Sequence, residues 1–564
     1  MIEKNFKENY FLMIACLVAI VVMLPIAFFG IPSGNDMPQH FRFAQTFYDS
    51  LTTGDGFPSW ADKENFGYGD IGIRFYPPLA YYFLAFTRIL VGNWYDATWL
   101  TFMFWMVLGC YGIYLWAHCW LSVKESAFSA MFFAIFPYHL SQIYINFNYS
   151  EFVGAAVLPF CFAFLTRIFQ RRKWTDVLGL AVAYSALILS HLPLLVIGSL
   201  CLLLYALMFL RKENFIQPLI KSAISVGISL AASAFYWIKM IGEMKWVSVS
   251  SEKYSTGYYG YENHFFPFYF HSFNMDFKLG YFLITDLPVI LDFLFLVSII
   301  IYFVYRKSKN LQGTQAEGIV RKVLPLGLFA FFMLTPLSRP IWQILTPLQK
   351  VQLPSRWLAI VAICGAVVAG ATIHYLIESG SLKKRGWVYG YGAILFVILM
   401  FNFIYNLHPV AFVPIERGEF ESQMQKLYDE KSFDCWWTVW SNADALKIKE
   451  KISIEAREAK VITWEAEKRI FEVSAGNEGK VRIATFYYPL WQATVNGTQV
   501  GIEKDENGAM LIAVGSEKST IELYFQEPLS VRVASILSLL TWLFLGGAAV
   551  FLLGKKLFSS KQLV

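Results

Sequence analysis

Charge is scarce in this chain. Charged residues make up 16% of its 564 positions and hydrophobic residues 56%, a balance that excludes an ordinary water-soluble protein because the apolar runs repeatedly exceed what a soluble core needs. Paired cysteine is missing as well. Cys16, Cys110, Cys161, Cys201 and Cys364 fall within apolar runs, Cys119 at the end of one, and Cys435 alone in a long polar stretch, so neither a disulfide framework nor zinc-ligand spacing exists. No small-residue cleavage site follows the first apolar run, where Pro32-Ser33-Gly34-Asn35-Asp36 comes directly; this predicts a retained helix. Internal repeats and ionisable residues near the middle of apolar runs, common in transporters, are also lacking. The net charge of +6 is spread over small basic clusters rather than one face, which argues against nucleic acid as a partner.

What is present reads as a polytopic α-helical membrane protein of about 12 transmembrane helices. Apolar windows fall near 11–30, 97–118, 126–145, 151–169, 176–192, 193–210, 217–241, 286–305, 323–338, 354–376, 387–407 and 531–553. The basic clusters Lys4/Lys7, Arg171-Arg172-Lys173, Arg211-Lys212, Arg306-Lys307 with Arg321-Lys322, Lys383-Lys384-Arg385 and Lys555-Lys556 then share one side, which the positive-inside rule makes cytoplasmic. Both termini are expected inside, with 31–96, 242–285, 338–353 and 408–530 outside. The aromatic run 75–92 is expected to lie in the interface, because a spanning helix there would invert every later cluster. Ser190-His191-Leu192-Pro193 must mark a tight outer turn for the count to hold. After His408 charged, alternating stretches such as Lys451–Glu455 and Thr520–Tyr524 predict an outer β-rich domain over 408–530. Asn496-Gly497 and Asn507-Gly508 lie where hairpin turns need positive φ. The expected organisation is a transmembrane domain 1–407 with its first outer loop 31–96, the β-rich domain, and a final helix and tail 531–564.

The candidate site residues are those that break these patterns. Asp36 stands just beyond the first span, where an acid is costly unless it faces water or a cavity. Its alternative reading is a helix N-cap, with Phe41, Ala44, Phe47 and Leu51 as the stripe of the helix it opens. Glu151, entering the fourth span, is a second outer acid that also suits a helix start. Arg356 in Gln352-Leu353-Pro354-Ser355-Arg356-Trp357 is a cation on the side where the orientation rule expects few; a bound lipid phosphate or snorkelling would each account for it. Arg74 and Tyr76, in Arg74-Phe75-Tyr76-Pro77-Pro78, read as substrate contacts or interfacial anchors, and His191 as a turn histidine or substrate contact. Trp436, Trp437, Trp440 and Trp491 suit carbohydrate or the β-domain core.

Taken together, the acid after the first span, Phe57-Pro58-Ser59-Trp60 and Tyr76-Pro77-Pro78-Leu79 resemble the GT-C superfamily of glycosyltransferases. More narrowly, Pro137-Tyr138-His139, Glu151, Ser190-His191-Leu192-Pro193 and the Arg356 stretch resemble membrane proteins labelled 6-pyruvoyl-tetrahydropterin synthase-related, although the chemistry of the soluble pterin enzyme is not visible. Tyr488-Pro489-Leu490-Trp491 with Asn496-Gly497 is similar to the outer β domain of lipoteichoic-acid-glycosylating relatives. Relatives often carry an arginine just before the acid matching Glu151 and a glycine matching Leu490, and this chain does not. The resemblance implies a GT-C-like fold in a cell membrane, a sugar donor on a polyprenyl phosphate, a glycan, lipid or protein acceptor at the outer leaflet, and catalysis by the first-loop acid, which is Asp36. It leaves a divalent metal, magnesium or manganese, open as cofactor, with Asp36, His40 and Glu151 as the acids and base near such a site. A phosphate leaving group needs little protonation, so the chemistry asks chiefly for a base and for neutralisation of the departing phosphate; Asp36 fits the first task and Arg356 with Arg74 the second. A base acting opposite the phosphate implies inversion. A transporter or flippase of lipid-linked sugars is the alternative, and a glycan sensor anchored by the spans is a third.

Overall fold

The computed structural model describes residues 2–34, 36–210, 215–267, 286–292, 314–378 and 412–561, and parts of 390–408. The chain divides into two compact units that interleave along the sequence: Met1–Met37, Val91–Leu230 and Ser255–Phe420 form the first, and Pro38–Leu90, Ala231–Tyr254 and Glu421–Val564 the second.

The first unit is helical. Its helices start where the sequence supplies caps: Asn93 accepts from the Asp96 amide ahead of Trp94–Ala117, Ser122 and Glu125 form a capping box ahead of Val123–Ala134, and Thr314 accepts from Glu317 ahead of Gln315–Met333. The helix Trp94–Ala117 packs closely on Tyr149–Arg171, because glycine stands at the crossing. A Cβ at Gly109 would lie 3.2 Å from the Ala156 Cα and one at Gly112 2.8 Å from the Phe160 ring. Two short strands, β1 (Ile31–Pro32) and β2 (Pro414–Ile415), pair antiparallel.

Among the described residues five helices are long and apolar enough to cross a membrane, Tyr10–Phe29, Trp94–Ala117, Tyr149–Arg171, Pro354–His374 and Leu529–Leu552, or up to seven if bent pairs count as spans. About a dozen was expected. The window 126–145 is two helices, because Pro137 opens a new one, Pro137–Tyr144, after Val123–Ala134 ends. Windows 176–192 and 193–210 become Trp174–Ile188 and Leu192–Leu207. At 1.5 Å per residue they reach about 22 and about 24 Å, short of a hydrocarbon core of about 30 Å. The expected tight turn lies between them at Leu189–His191. Windows 286–305 and 387–407 lie largely outside the described residues.

In the second unit the helix continuing to Thr53 buries Phe41, Ala44 and Phe47 of the predicted stripe completely and leaves its fourth residue, Leu51, half-buried. Leu79–Val91 is a 13-residue apolar helix, too short to span. The β region begins later than expected. Residues 417–447 form short helical turns, and the strands are β3 (Ile452–Ser453), β4 (Ala459–Trp464), β5 (Lys468–Val473), β6 (Gly479–Phe486), β7 (Trp491–Val495), β8 (Thr498–Val500), β9 (Glu503–Lys504), β10 (Ala509–Val514) and β11 (Ser519–Phe525). They make two antiparallel sheets, β3-β6-β10-β9 and β4-β5-β11-β7-β8. Alternation places Phe471, Val473, Val481, Ile483, Ile512 and Ile521 in the core. The β7–β8 turn is Asn496-Gly497 at φ +50° and +80°, the positive values a two-residue hairpin needs. The β9–β10 turn closes on Gly508 at φ +90°, with Asp505 accepting from the Asn507 and Ala509 amides.

Candidate active site

In the first unit the chain leaves the first helix through Gly30 at φ +135°, where a Cβ would come within 2.5 Å of the Ile415 carbonyl oxygen. Strand β1 and the Ser33 amide, which donates to Val413 O at 2.9 Å, fasten the next residues. Gly34 then packs on the turn at Asn146-Phe147, so tightly that a Cβ would sit 2.4 Å from Asn146 O. Three such constraints in five residues fix where Asp36 emerges. Its side chain is exposed and makes no hydrogen bond among the described residues, although the following helix begins at Met37. A cap would bond a helix amide; this acid does not.

Opposite it in the same unit stands a tightly bonded group. Glu151, buried in the first turn of Tyr149–Arg171, accepts from the Tyr138 hydroxyl through Oε1 at 2.8 Å and from Arg356 Nε through Oε2 at 3.0 Å. His191 Nδ1 accepts from the Leu194 amide at 3.4 Å as the N-cap of Leu192–Leu207, which leaves the proton on Nε2, 3.9 Å from Glu151 Oε2. The Ser150 hydroxyl donates to Ser190 O and ties the two helix starts together. Arg356 lies in the 3-10 turn Pro354–Trp357 after Gln352 at φ +64°. Its Nη1 donates to Val351 O, its Nη2 carries no bond among the described residues, and its side chain keeps 17% of its exposure. Glu151 is therefore bonded through both oxygens and inward, while among the described residues Arg356 is held at one end and open at the other.

Asp36 feels both partners. Water reaches its carboxylate, yet protein surrounds it on most sides, and this desolvation raises its pKa above the usual carboxylate range; Arg356 pulls it down and Glu151 pushes it up. Among the described residues no three His, Cys, Asp or Glu side chains lie together as metal ligands. The two carboxylates here are Asp36 and Glu151, and Glu151 is already paired with the Arg356 guanidinium.

The remaining candidates belong to the second unit. His40 is buried, its Nδ1 2.7 Å from the Tyr81 hydroxyl and its ring against Tyr76 and Tyr81. Burial pushes its pKa down to about 3, so it stays neutral. Tyr76 packs on Phe43 and Trp436. Arg74 is fully buried and all five of its N–H donors are used: Nε and Nη2 on Glu243 at 2.7 and 2.6 Å, Nη1 and Nη2 on Glu527 at 2.7 and 2.9 Å, and Nη1 on Ser59 O at 3.1 Å. No donor is left for a substrate phosphate. Trp437 and Trp491 are buried, as a core role demands. Sequence reasoning passed over Tyr138, although it stands in the Pro137-Tyr138-His139 motif, and it passed over Glu243, Glu527 and Lys239, which no local pattern marks.

Among solved structures the chain is similar to the Archaeoglobus fulgidus oligosaccharyltransferase in the apo form, with a TM-score of 0.46 and 13% identity over 73% of this chain and 57% of that one. It is also similar to ArnT from Cupriavidus metallidurans bound to undecaprenyl phosphate, with a TM-score of 0.32 and 14% identity over 74% and 75% of the two chains. An uncharacterized protein of Lactococcus lactis subsp. cremoris is 23% identical over 256 residues; the match spans 43% of this chain and 41% of that protein's length. The family model described as 6-pyruvoyl-tetrahydropterin synthase related domain; membrane protein matches residues 73–410, a stretch that contains Glu151, His191 and Arg356, and the chain belongs to that family of membrane proteins.

Proposed function

We propose that this protein is a membrane glycosyltransferase that moves a sugar from a polyprenyl-phosphate donor to an acceptor hydroxyl on the extracytoplasmic side, with inversion. The observation that carries the reading is Asp36: an exposed, unbonded carboxylate fixed by close-packed glycines within electrostatic reach of a half-free arginine. Asp36 takes the acceptor proton as the hydroxyl oxygen attacks the anomeric carbon, and a pKa raised by desolvation makes it a better base than an ordinary carboxylate. The bond to the donor phosphate breaks on the opposite face, and the open Nη2 of Arg356 meets the charge that develops there. Glu151, with Tyr138 and His191 on it, holds Arg356 rather than acting as a base. Both ends of the chain are cytoplasmic in this reading, and residues 31–96 and 408–530 face outward.

The test is Asp36→Asn in purified protein supplied with a panel of undecaprenyl-phosphate sugars and envelope glycolipid acceptors. Asparagine keeps the shape and any capping capacity but takes no proton. Loss of transfer by roughly 10²–10⁴-fold with an unchanged melting curve is expected. An asparagine variant within a few-fold of wild type would remove Asp36 from the chemistry.

A further inference from the structure

A second site lies wholly within the second unit, along the last membrane helix, Leu529–Lys561. A groove of about 580 Å³ runs between the face carrying Val531, Ile536, Leu539 and Trp542 and a wall that includes Phe57 and Phe235. From residue 531 to residue 542 it extends about 16 Å at 1.5 Å per residue, the hydrocarbon depth of one leaflet. Its floor is fastened: Trp542 Nε1 donates to Ala232 O at 2.9 Å and Ser538 Oγ to Ala231 O at 2.9 Å.

The polar end of the groove is charged. Lys239 and Glu527 line it and pair at 3.2 Å, with the ammonium 4.1 Å from the centre of the Phe57 ring. Behind them Glu527 and Glu243 share Arg74. Arg532 also lines the groove and is exposed. Its side chain makes no hydrogen bond or ion pair with any described residue. Among the residues that line the groove Lys239 and Arg532 are cations and Glu527 is the carboxylate, so one positive charge is unmatched there. Arg532 stands in the first turns of its helix, where the helix dipole disfavours a cation, and at the end of the span away from the basic Lys555-Lys556 cluster, where the orientation rule expects few. Two general tendencies oppose this residue, and an anion beside it would offset both.

We propose that the groove binds one anionic glycerophospholipid of the surrounding bilayer, its phosphodiester on Arg532 and Lys239 and an acyl chain along Ile536, Leu539 and Trp542. A single spare positive charge matches the single negative charge of a phosphodiester, and the length matches one chain. The site does not depend on the glycosyl-transfer reading.

The test uses the full chain in detergent, titrated with phosphatidylglycerol or phosphatidylcholine and followed by native mass spectrometry. Wild type should retain one phosphatidylglycerol at concentrations at least ten-fold below those needed for phosphatidylcholine. Arg532→Gln should abolish that preference with an unchanged melting curve, and Ile536→Trp, which fills the groove, should weaken both lipids. Glycerol phosphate without chains should not displace the bound lipid. Equal retention of both lipids by wild type would mean annular lipid only, and undiminished phosphatidylglycerol preference in Arg532→Gln would overturn the site.

Discussion

Two arginines of this protein look alike in sequence and are used in opposite ways. Arg74 and Arg356 each stand within a few residues of proline and an aromatic, the first on a segment expected outside the membrane and the second at the outer start of an expected span. In the second unit Arg74 is enclosed by Glu243, Glu527 and Ser59 O, and its guanidinium lies 4.9 Å from the centre of the Phe525 ring, with the Tyr488 hydroxyl donating to Glu243 beyond. In the first unit Arg356 leans on one carboxylate and one carbonyl and, among the described residues, keeps a nitrogen free. A buried, fully bonded ion group stores its electrostatics internally and serves the fold, whereas a partly bonded cation beside an unbonded acid has interaction energy left for a ligand.

The comparison can be broken most severely at Asp36, whose asparagine variant should lose roughly 10²–10⁴-fold in sugar transfer and nothing in stability. The converse holds at the other centre. Arg74→Ala leaves Glu243 without its cation and Glu527 with Lys239 alone, and removing one partner of a buried ion group costs about 3–5 kcal/mol; a greatly lowered thermal midpoint in detergent should be the first effect measured, and Arg74→Lys, lacking the fork, should rescue little of it. A variant that folds normally and loses only donor binding would transfer Arg74 to the substrate.

The second unit also buries Asp70, which accepts from the Ser432 hydroxyl at 2.6 Å and the Gly72 amide at 2.5 Å. Burial pushes its pKa up to about 6 in spite of those bonds and of Arg42. The folded state therefore holds a proton that the unfolded chain releases near pH 4. The contribution of Asp70 to stability should fall as pH rises from about 4 to about 6, by up to about 3 kcal/mol, and then level off. Thermal midpoints measured across that window should fall less steeply with pH in Asp70→Asn than in wild type, with Glu64, whose pKa burial pushes up to about 8, still titrating in both.

The finest test lies in the pH dependence of the proposed reaction. A base must be unprotonated, so kcat/KM should climb with pH through the pKa of Asp36. Glu151 raises that pKa and Arg356 lowers it. Glu151→Gln should move the rising limb to lower pH and Arg356→Ala to higher pH, while Arg356→Ala also weakens use of the donor and lysine restores it in part. Shifts of the same sign in both variants would separate Asp36 from this pair.

Several features are legible in the amino-acid sequence because they depend on neighbours along the chain. Apolar runs mark a membrane protein, the Phe41-Ala44-Phe47 stripe marks a helix and its buried face, and Asn496-Gly497 marks a hairpin, since positive φ at two successive residues suits few other pairs. The span count is less readable. Hydropathy sums composition over a window and does not notice that Pro137 restarts a helix or that Trp174–Ile188 is only 15 residues long.

Composition by itself determined that this chain lives in a membrane, that a β region follows its helices, and that Asp36 and Arg356 stand where ordinary patterning disfavours them. Only the tertiary structure decided which charges are spent and which remain. Glu151 meets Arg356 across 205 positions and Arg74 meets Glu527 across 453. A charged side chain reads the same in sequence whether or not a partner waits so far along the chain, and its role depends on that partner's presence, because desolvation and pairing are set by what folds beside it.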